Sequence, residues 1–148
     1  DSYIVFKKHA PISLEEVIPV LSVKPLHRLW LIVSGPIFHF VAKSITAAQI
    51  LVNEVKKCGF KHSGIISIRA DGVVVEIISG TWTSFLLMDG DEPMIQPNSL
   101  SRILEISNTI LLEGKKRIEC LHNEIERIDE KVNRAQNSLD DFGESISS

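Results

Sequence analysis

His39 lies in Ile37-Phe38-His39-Phe40, a β-rich run with apolar neighbours. An imidazole held there in one tautomer works as a general base or as a donor to a substrate, and a satisfied core or cross-strand histidine is the plainer alternative. Glu76 stands among Val73, Val74, Val75, Ile77 and Ile78, where a carboxylate marks either a solvated face or a site; alternation favours the solvated face. Gly59-Phe60-Lys61-His62-Ser63-Gly64 combines two glycines with polar side chains. Such a turn brings backbone amides close to an anionic ligand, and a helix C-cap leading into a strand explains the same glycines. Lys43 closes the His39 strand within reach of a phosphate or acidic group, or is simply solvated. His9 precedes Pro11 at a strand end or loop, where function and ordinary surface histidines both occur. No His/Cys cluster has metal-ligand spacing, and no Gly-x-Ser-x-Gly or Walker element occurs. Metal-assisted hydrolysis, serine hydrolysis and P-loop phosphoryl transfer are therefore poor hypotheses.

The elements that must hold these residues are punctuated clearly. A strand is expected over 3–8, then a short helix started by the capping box Ser13-Leu14-Glu15-Glu16 and curtailed by Pro19. Lys24-Pro25 marks a connection. Residues 29–33 are apolar on both faces, as in a covered strand; Gly35-Pro36 interrupts, and 37–43 form the His39 strand. Ser44 caps a helix with the stripe Ile45, Ala48, Leu51, Val52 and Val55, which Gly59 ends. Asp71-Gly72 predicts a type I′ hairpin between 64–70 and 73–79. A further strand is expected over 81–88, followed by an acidic, proline-bound loop at Asp89-Gly90-Asp91-Glu92-Pro93. Leu104, Leu111, Ile118, Ile125, Val132 and Leu139 recur at heptad spacing along one long helix, with Leu121, Ile128, Ala135 and Phe142 as companions.

The expected fold is α+β: a mixed β-sheet with packed helices and a long C-terminal helix. A strand-helix-strand pattern over 3–33 resembles that over 37–70 and hints at duplication. The core is placed in 1–112, the helix in 98–142, packing on the core and continuing as a heptad segment, and a frayed tail in 143–148. The chain starts with Asp1 rather than Met, inside a strand, so a truncated N-terminus is expected.

A 148-residue chain with 44% hydrophobic and 24% charged residues suits one globular domain. The first residues carry an acid where a signal peptide is basic, and the apolar run 29–42 is broken and short of the ~20 residues that span a bilayer, so a cytoplasmic protein without membrane contact is expected. Cys58 and Cys120 belong to no Cys-x-x-Cys pair and read as packed thiols. Net charge is −3, yet residues 1–80 hold nine Lys/Arg against six Asp/Glu, so a polyanion would favour that part.

Together these runs resemble the wybutosine-synthesising protein 3 family. The likeness lies in Lys8-His9-Ala10-Pro11 with Ser13-Leu14-Glu15-Glu16-Val17, in Pro36-Ile37-Phe38-His39-Phe40-Val41-Ala42-Lys43 leading into Ala47-Ala48-Gln49, and in Cys58-Gly59-Phe60-Lys61-His62-Ser63-Gly64-Ile65 with Val75-Glu76-Ile77. Leu104-Glu105-Ile106-Ser107-Asn108 also resembles the family's ending. The resemblance implies an S-adenosylmethionine-dependent tRNA methyltransferase of wybutosine biosynthesis, acting on the modified guanosine at position 37 of phenylalanine tRNA, on a fold unlike the Rossmann-type methyltransferases. It implies S-adenosyl-L-methionine as cofactor and tRNA-Phe as partner. His39 becomes the catalytic candidate, and His9, Lys43, Lys61, Ser63, Gly64 and Glu76 become cofactor- or substrate-binding candidates. Three features depart from the family pattern: no Ser-Ser-Cys-x-Gly-Arg segment precedes 3–8, Glu76-Ile77-Ile78-Ser79-Gly80 stands where the family has Glu-Ile-Arg-Ser-Thr, and 82–96 keeps little of the family's Val-Pro-Leu-Gly turn. The alternative is a non-catalytic homologue that binds RNA or protein. The heptad helix adds an expectation of self-association.

Overall fold

The computed structural model of the chain describes residues 4–23 and 27–147, the last by its backbone alone. Its elements are α1 (Leu14–Leu21), β1 (Arg28–Ser34), β2 (Ile37–Ala42), α2 (Ile45–Lys57), β3 (Gly64–Arg69), β4 (Gly72–Ile78), β5 (Trp82–Asp89), β6 (Glu92–Pro93) and α3 (Pro97–Ser147). The fold is α+β with a long C-terminal helix. The expected mixed sheet is replaced by two antiparallel three-stranded sheets, ordered β1-β5-β6 and β2-β4-β3. The reason lies in the β3–β4 hairpin. It inserts β4 between β2 and β3, so the two strands joined through α2 run in the same direction without bonding to each other.

The chain divides into two compact units, one containing residues up to Gly35 with Thr81–Gly114, the other Pro36–Gly80 with the residues from Lys115 onward. In the first, Val17, Leu29, Leu87, Leu100 and Leu104 form the core. The amide of Ile12 donates to Asn108 Oδ1 at 2.8 Å and Asn108 Nδ2 donates back to the Ile12 carbonyl at 2.8 Å, tying the segment before α1 to α3. The Ser13 amide donates to Glu16 at 2.9 Å, completing the expected capping-box contact, and Lys8 lowers the Glu16 carboxyl below its usual range through a 2.6 Å ion pair. Pro19 sits inside α1, which continues only to Leu21.

Three local expectations change. Residues 4–8 form no strand and are exposed, because no neighbouring strand among the described residues offers them a ladder; Tyr3 and Lys24-Pro25 lie outside the described residues. The β3–β4 loop is Ala70-Asp71, with Arg69 opposite Gly72. No described non-glycine residue has positive φ, so the type I′ turn does not form. Gly72 is needed for another reason: its φ is +149°, and a Cβ there would lie 2.5 Å from Val41 Cγ1. The acidic loop turns at Gly90-Asp91 and returns as β6, with Asp89 opposite Glu92; Pro93 is accepted because β6 is an edge strand.

In the second unit Val55, Phe60, Val75, Ile77 and Ile128 are almost fully buried, joined by Leu121 from α3. The companion heptad positions Leu121 and Ile128 face this core, whereas Ile118 and Ile125 remain over a third exposed. Helix α3 runs to Ser147. No described helix is long and apolar enough to cross a membrane.

Two contacts bind α2 to α3 within this unit. Cys58 and Cys120, expected as separate thiols, are disulfide-bonded: helix packing brings their Cα atoms to 5.5 Å across a sequence separation of 62, a proximity that no spacing motif encodes. Glu54, 2% exposed, meets Lys131 at 2.6 Å, Lys57 at 2.8 Å and Arg127 at 2.9 Å. These cations, Lys131 foremost, hold its carboxyl down to about 2.

A carboxylate depressed in the folded state contributes stability above its unfolded value and loses it on protonation. Thermal melts should therefore hold steady above pH 5 and fall between about pH 5 and 2. Glu54→Gln should lower stability by about 1–3 kcal/mol at pH 7, less than for a fully buried triad because the three cations are half in solvent. A flat pH profile in the wild type, or one unchanged in the variant, would contradict this. Breaking Cys58–Cys120 with dithiothreitol should lower the melting temperature, since closing a loop of this length removes about 4 kcal/mol of unfolded-state entropy. Identical melts in oxidised and reduced protein would show that the bridge stabilises nothing.

Candidate functional site

The second unit places its chemistry at the two ends of α2 and on the outer row of its sheet. Ser44 caps α2 through a 3.1 Å bond from the Ala47 amide. At the other end the Gly59 amide donates to the Lys56 carbonyl at 3.0 Å and the Phe60 amide to the Val55 carbonyl at 3.3 Å. With Gly59 at φ +92°, this is a Schellman ending. It drives Phe60 into the core and leaves Lys61 and His62 on an exposed turn. Ser63 then becomes buried, and its Oγ accepts the Ile78 amide at 3.0 Å, fixing the start of β3 against the end of β4.

Strand β4 is central, so its residues have partners on both sides. Val73, Val75 and Ile77 point to the core, which puts Glu76 on the opposite face. Register sets Glu76 opposite His39 on β2 and opposite Gly64 on β3. His39 Nε2 and Glu76 Oε2 lie 3.0 Å apart, with the side chains 57% and 33% exposed. With the Nε2 proton donated to the carboxylate, Nδ1 is left as the acceptor, the arrangement a general base requires.

Beside Ser63 and Gly64 opens a cleft of about 480 Å³, lined by Gln49, Val52, Asn53, Lys56, Ser63, Gly64 and Ile65. A Cβ at Gly64 would meet nothing within 4 Å, so the backbone borders open space. The structure thus brings His39, Glu76 and Gly64 into one row and Ser63 to the cleft. Lys43 is exposed just after β2, and Lys61 is exposed two residues before Ser63. His9 belongs to the other unit and is exposed. Among the described residues no three His, Cys, Asp or Glu side chains converge as a metal site. Gln49, Asn53 and Lys56 were missed in sequence; their spacing is a polar helical stripe, indistinguishable there from a solvated face.

The model of the family described as Methyltransferase TYW3 matches residues 1–127. The chain belongs to this family. A relative from Saccharolobus solfataricus is 34% identical over 121 residues, covering 82% of this chain and 58% of its own. One from Aeropyrum pernix is 35% identical over 126 residues, covering 84% and 66%. Both are named tRNA(Phe) 7-((3-amino-3-carboxypropyl)-4-demethylwyosine(37)-N(4))-methyltransferase. The chain therefore spans less than two thirds of the length of these relatives. Among solved family folds, a hypothetical protein from Aeropyrum pernix superposes with a TM-score of 0.77 at 34% identity, covering 84% of this chain and 75% of its own. PH1069 from Pyrococcus horikoshii gives 0.79 at 33%, covering 82% and 62%.

Proposed function

We propose that the chain is the part of a tRNA methyltransferase that supplies a base, acting on the modified guanosine at position 37 of tRNA-Phe in wybutosine biosynthesis. The observation that carries this reading is the His39–Glu76 pair, 3.0 Å apart, on a chain whose relatives bear that enzyme's name. N-methylation needs the acceptor nitrogen held in line and relieved of a proton. His39 accepts that proton at Nδ1, and Glu76 orients the ring and stabilises the imidazolium that results. Lys43 and Lys61 offer exposed cations for tRNA phosphates.

The family implies S-adenosyl-L-methionine as methyl donor, but the cleft beside α2 does not fit that role, because it lies on the core side of the sheet, opposite the face that carries His39 and Glu76. When bound, the cofactor supplies an electrophilic methyl group. The same reading places the protein in the cytoplasm with its tRNA. A second reading, an RNA- or protein-binding homologue without catalysis, is favoured by Ile78, an apolar side chain two residues from Glu76 on the same face.

We further propose self-association through α3, where Leu139, Phe142 and Ile146 form an exposed stripe at helical spacing.

Calorimetric titration of S-adenosylmethionine into the chain should give saturable binding. In methyl transfer to tRNA(Phe) bearing the unmethylated base, His39→Ala should lower kcat by about 10²–10⁴-fold with little change in KM. Absence of cofactor binding would sink the enzymatic reading for this chain, and unimpaired transfer by His39→Ala would remove the base. In sedimentation equilibrium the wild type should show concentration-dependent dimerisation, and Phe142→Glu should be monomeric. A monomeric wild type would overturn self-association.

A further inference from the structure

The His39–Glu76 pair has apolar neighbours on its own face of the sheet. Register sets Ile37 opposite Ile78, one step along from His39 opposite Glu76. Residues two apart on a strand share a face, so the four form one patch, polar at one step and apolar at the next. Ile37 is 52% exposed and Ile78 is half-buried. A face that needed only solubility would be polar here. An aromatic ring borders the same end of the sheet. His62 lies two residues before Gly64, which stands opposite Glu76 on β3. A Cβ at Gly80, two residues after Ile78, would lie 1.9 Å from His62 Cδ2 and 2.7 Å from Nε2, so the imidazole rests directly on the Gly80 backbone. Gly80 has φ +70°, and only glycine combines that conformation with that contact. His62 is nonetheless exposed. An exposed ring already seated on backbone has little rotamer freedom left to lose on meeting a ligand.

We infer that Ile37, Ile78 and His62 seat the acceptor base itself, the flat ring system whose nitrogen gives its proton to His39. The two isoleucines provide an apolar surface for the base to lie on, and the His62 imidazole provides the aromatic contact. Two residues along a strand span about 7 Å, so a base over Ile37 and Ile78 has an edge within reach of His39. Unpaired bases are held in this way, by stacking on aromatic rings, histidine included, and by apolar side chains. A phosphate would call for a cluster of cations, and of the three residues only His62 can carry charge. All the residues involved belong to the unit Pro36–Gly80. This assignment rests on the methyltransferase reading and names positioning residues for its substrate, distinct from the base His39.

The test is binding of two labelled stem-loop RNAs with the anticodon sequence of tRNA(Phe), one carrying the unmethylated modified base at position 37 and one abasic there, read by fluorescence anisotropy. His62→Ala should weaken the first about five- to tenfold and leave the second unchanged, whereas His62→Phe, which keeps a ring, should bind as the wild type does. Ile37→Ser should weaken the first RNA about threefold. Gly80→Ala should reproduce the loss by displacing the ring and add nothing once His62 is replaced by alanine, since its backbone strain is common to both backgrounds. If the wild type binds the two RNAs alike, or prefers the first and keeps that preference in full in His62→Ala and Ile37→Ser, the seat is overturned while the methyltransferase reading stands. If His62→Ala weakens both RNAs equally, the ring meets another part of the strand and the assignment is likewise overturned. A wild type that binds neither RNA overturns both.

Discussion

Strand β4 is the constraint on which the second unit depends. As the central strand of β2-β4-β3 it has both backbone edges paired, so its register decides what stands beside it. Strict alternation sends Val73, Val75 and Ile77 into the core and leaves Glu76 on the other face. A slip of one residue would turn the carboxylate into the apolar core. The large cost of that exchange locks Glu76 opposite His39 on one side and opposite Gly64 on the other. The juxtaposition of acid and imidazole is therefore a consequence of hydrophobic burial on the opposite face.

Helix α2 carries the complementary constraint. Its start is set by the Ser44 cap and its end by the Gly59 turn, so the rotation of its faces is determined to within a fraction of a turn. One face enters the core and another presents Gln49, Asn53 and Lys56 to the cleft. Glu54 and Cys58 bind this helix to α3 by an ion cluster and a covalent bridge. Both act on the side of α2 away from Gln49, Asn53 and Lys56. Each is also sensitive to solution conditions in its own way: the ion cluster to protonation, the bridge to reduction.

Family membership and geometry contribute different parts of the functional reading. The family match extends over 1–127, but the chain spans less than two thirds of the length of its Saccharolobus and Aeropyrum relatives. What the structure adds is that the His39–Glu76 pair and the residues lining the cleft lie in the same unit. His9 lies in the other unit.

Local physics made several features legible from sequence alone. The capping box at Ser13, the α2 span, its glycine ending and the long C-terminal helix follow from short-range hydrogen bonding and from apolar periodicity, which act within a few residues. His39 and Glu76 were recognisable as misplaced polar groups in apolar strands for the same reason. Tertiary structure alone decided that they face each other, because cross-strand register depends on β4 inserting between β2 and β3. It also decided that residues 4–8, strand-like by composition, form no strand, since a strand exists only where a ladder partner does. The same holds for Cys58 and Cys120, 62 residues apart, and for Glu54 with its cations from α3. Each of these contacts joins segments remote in sequence, and helix packing, not spacing, sets the distance between them.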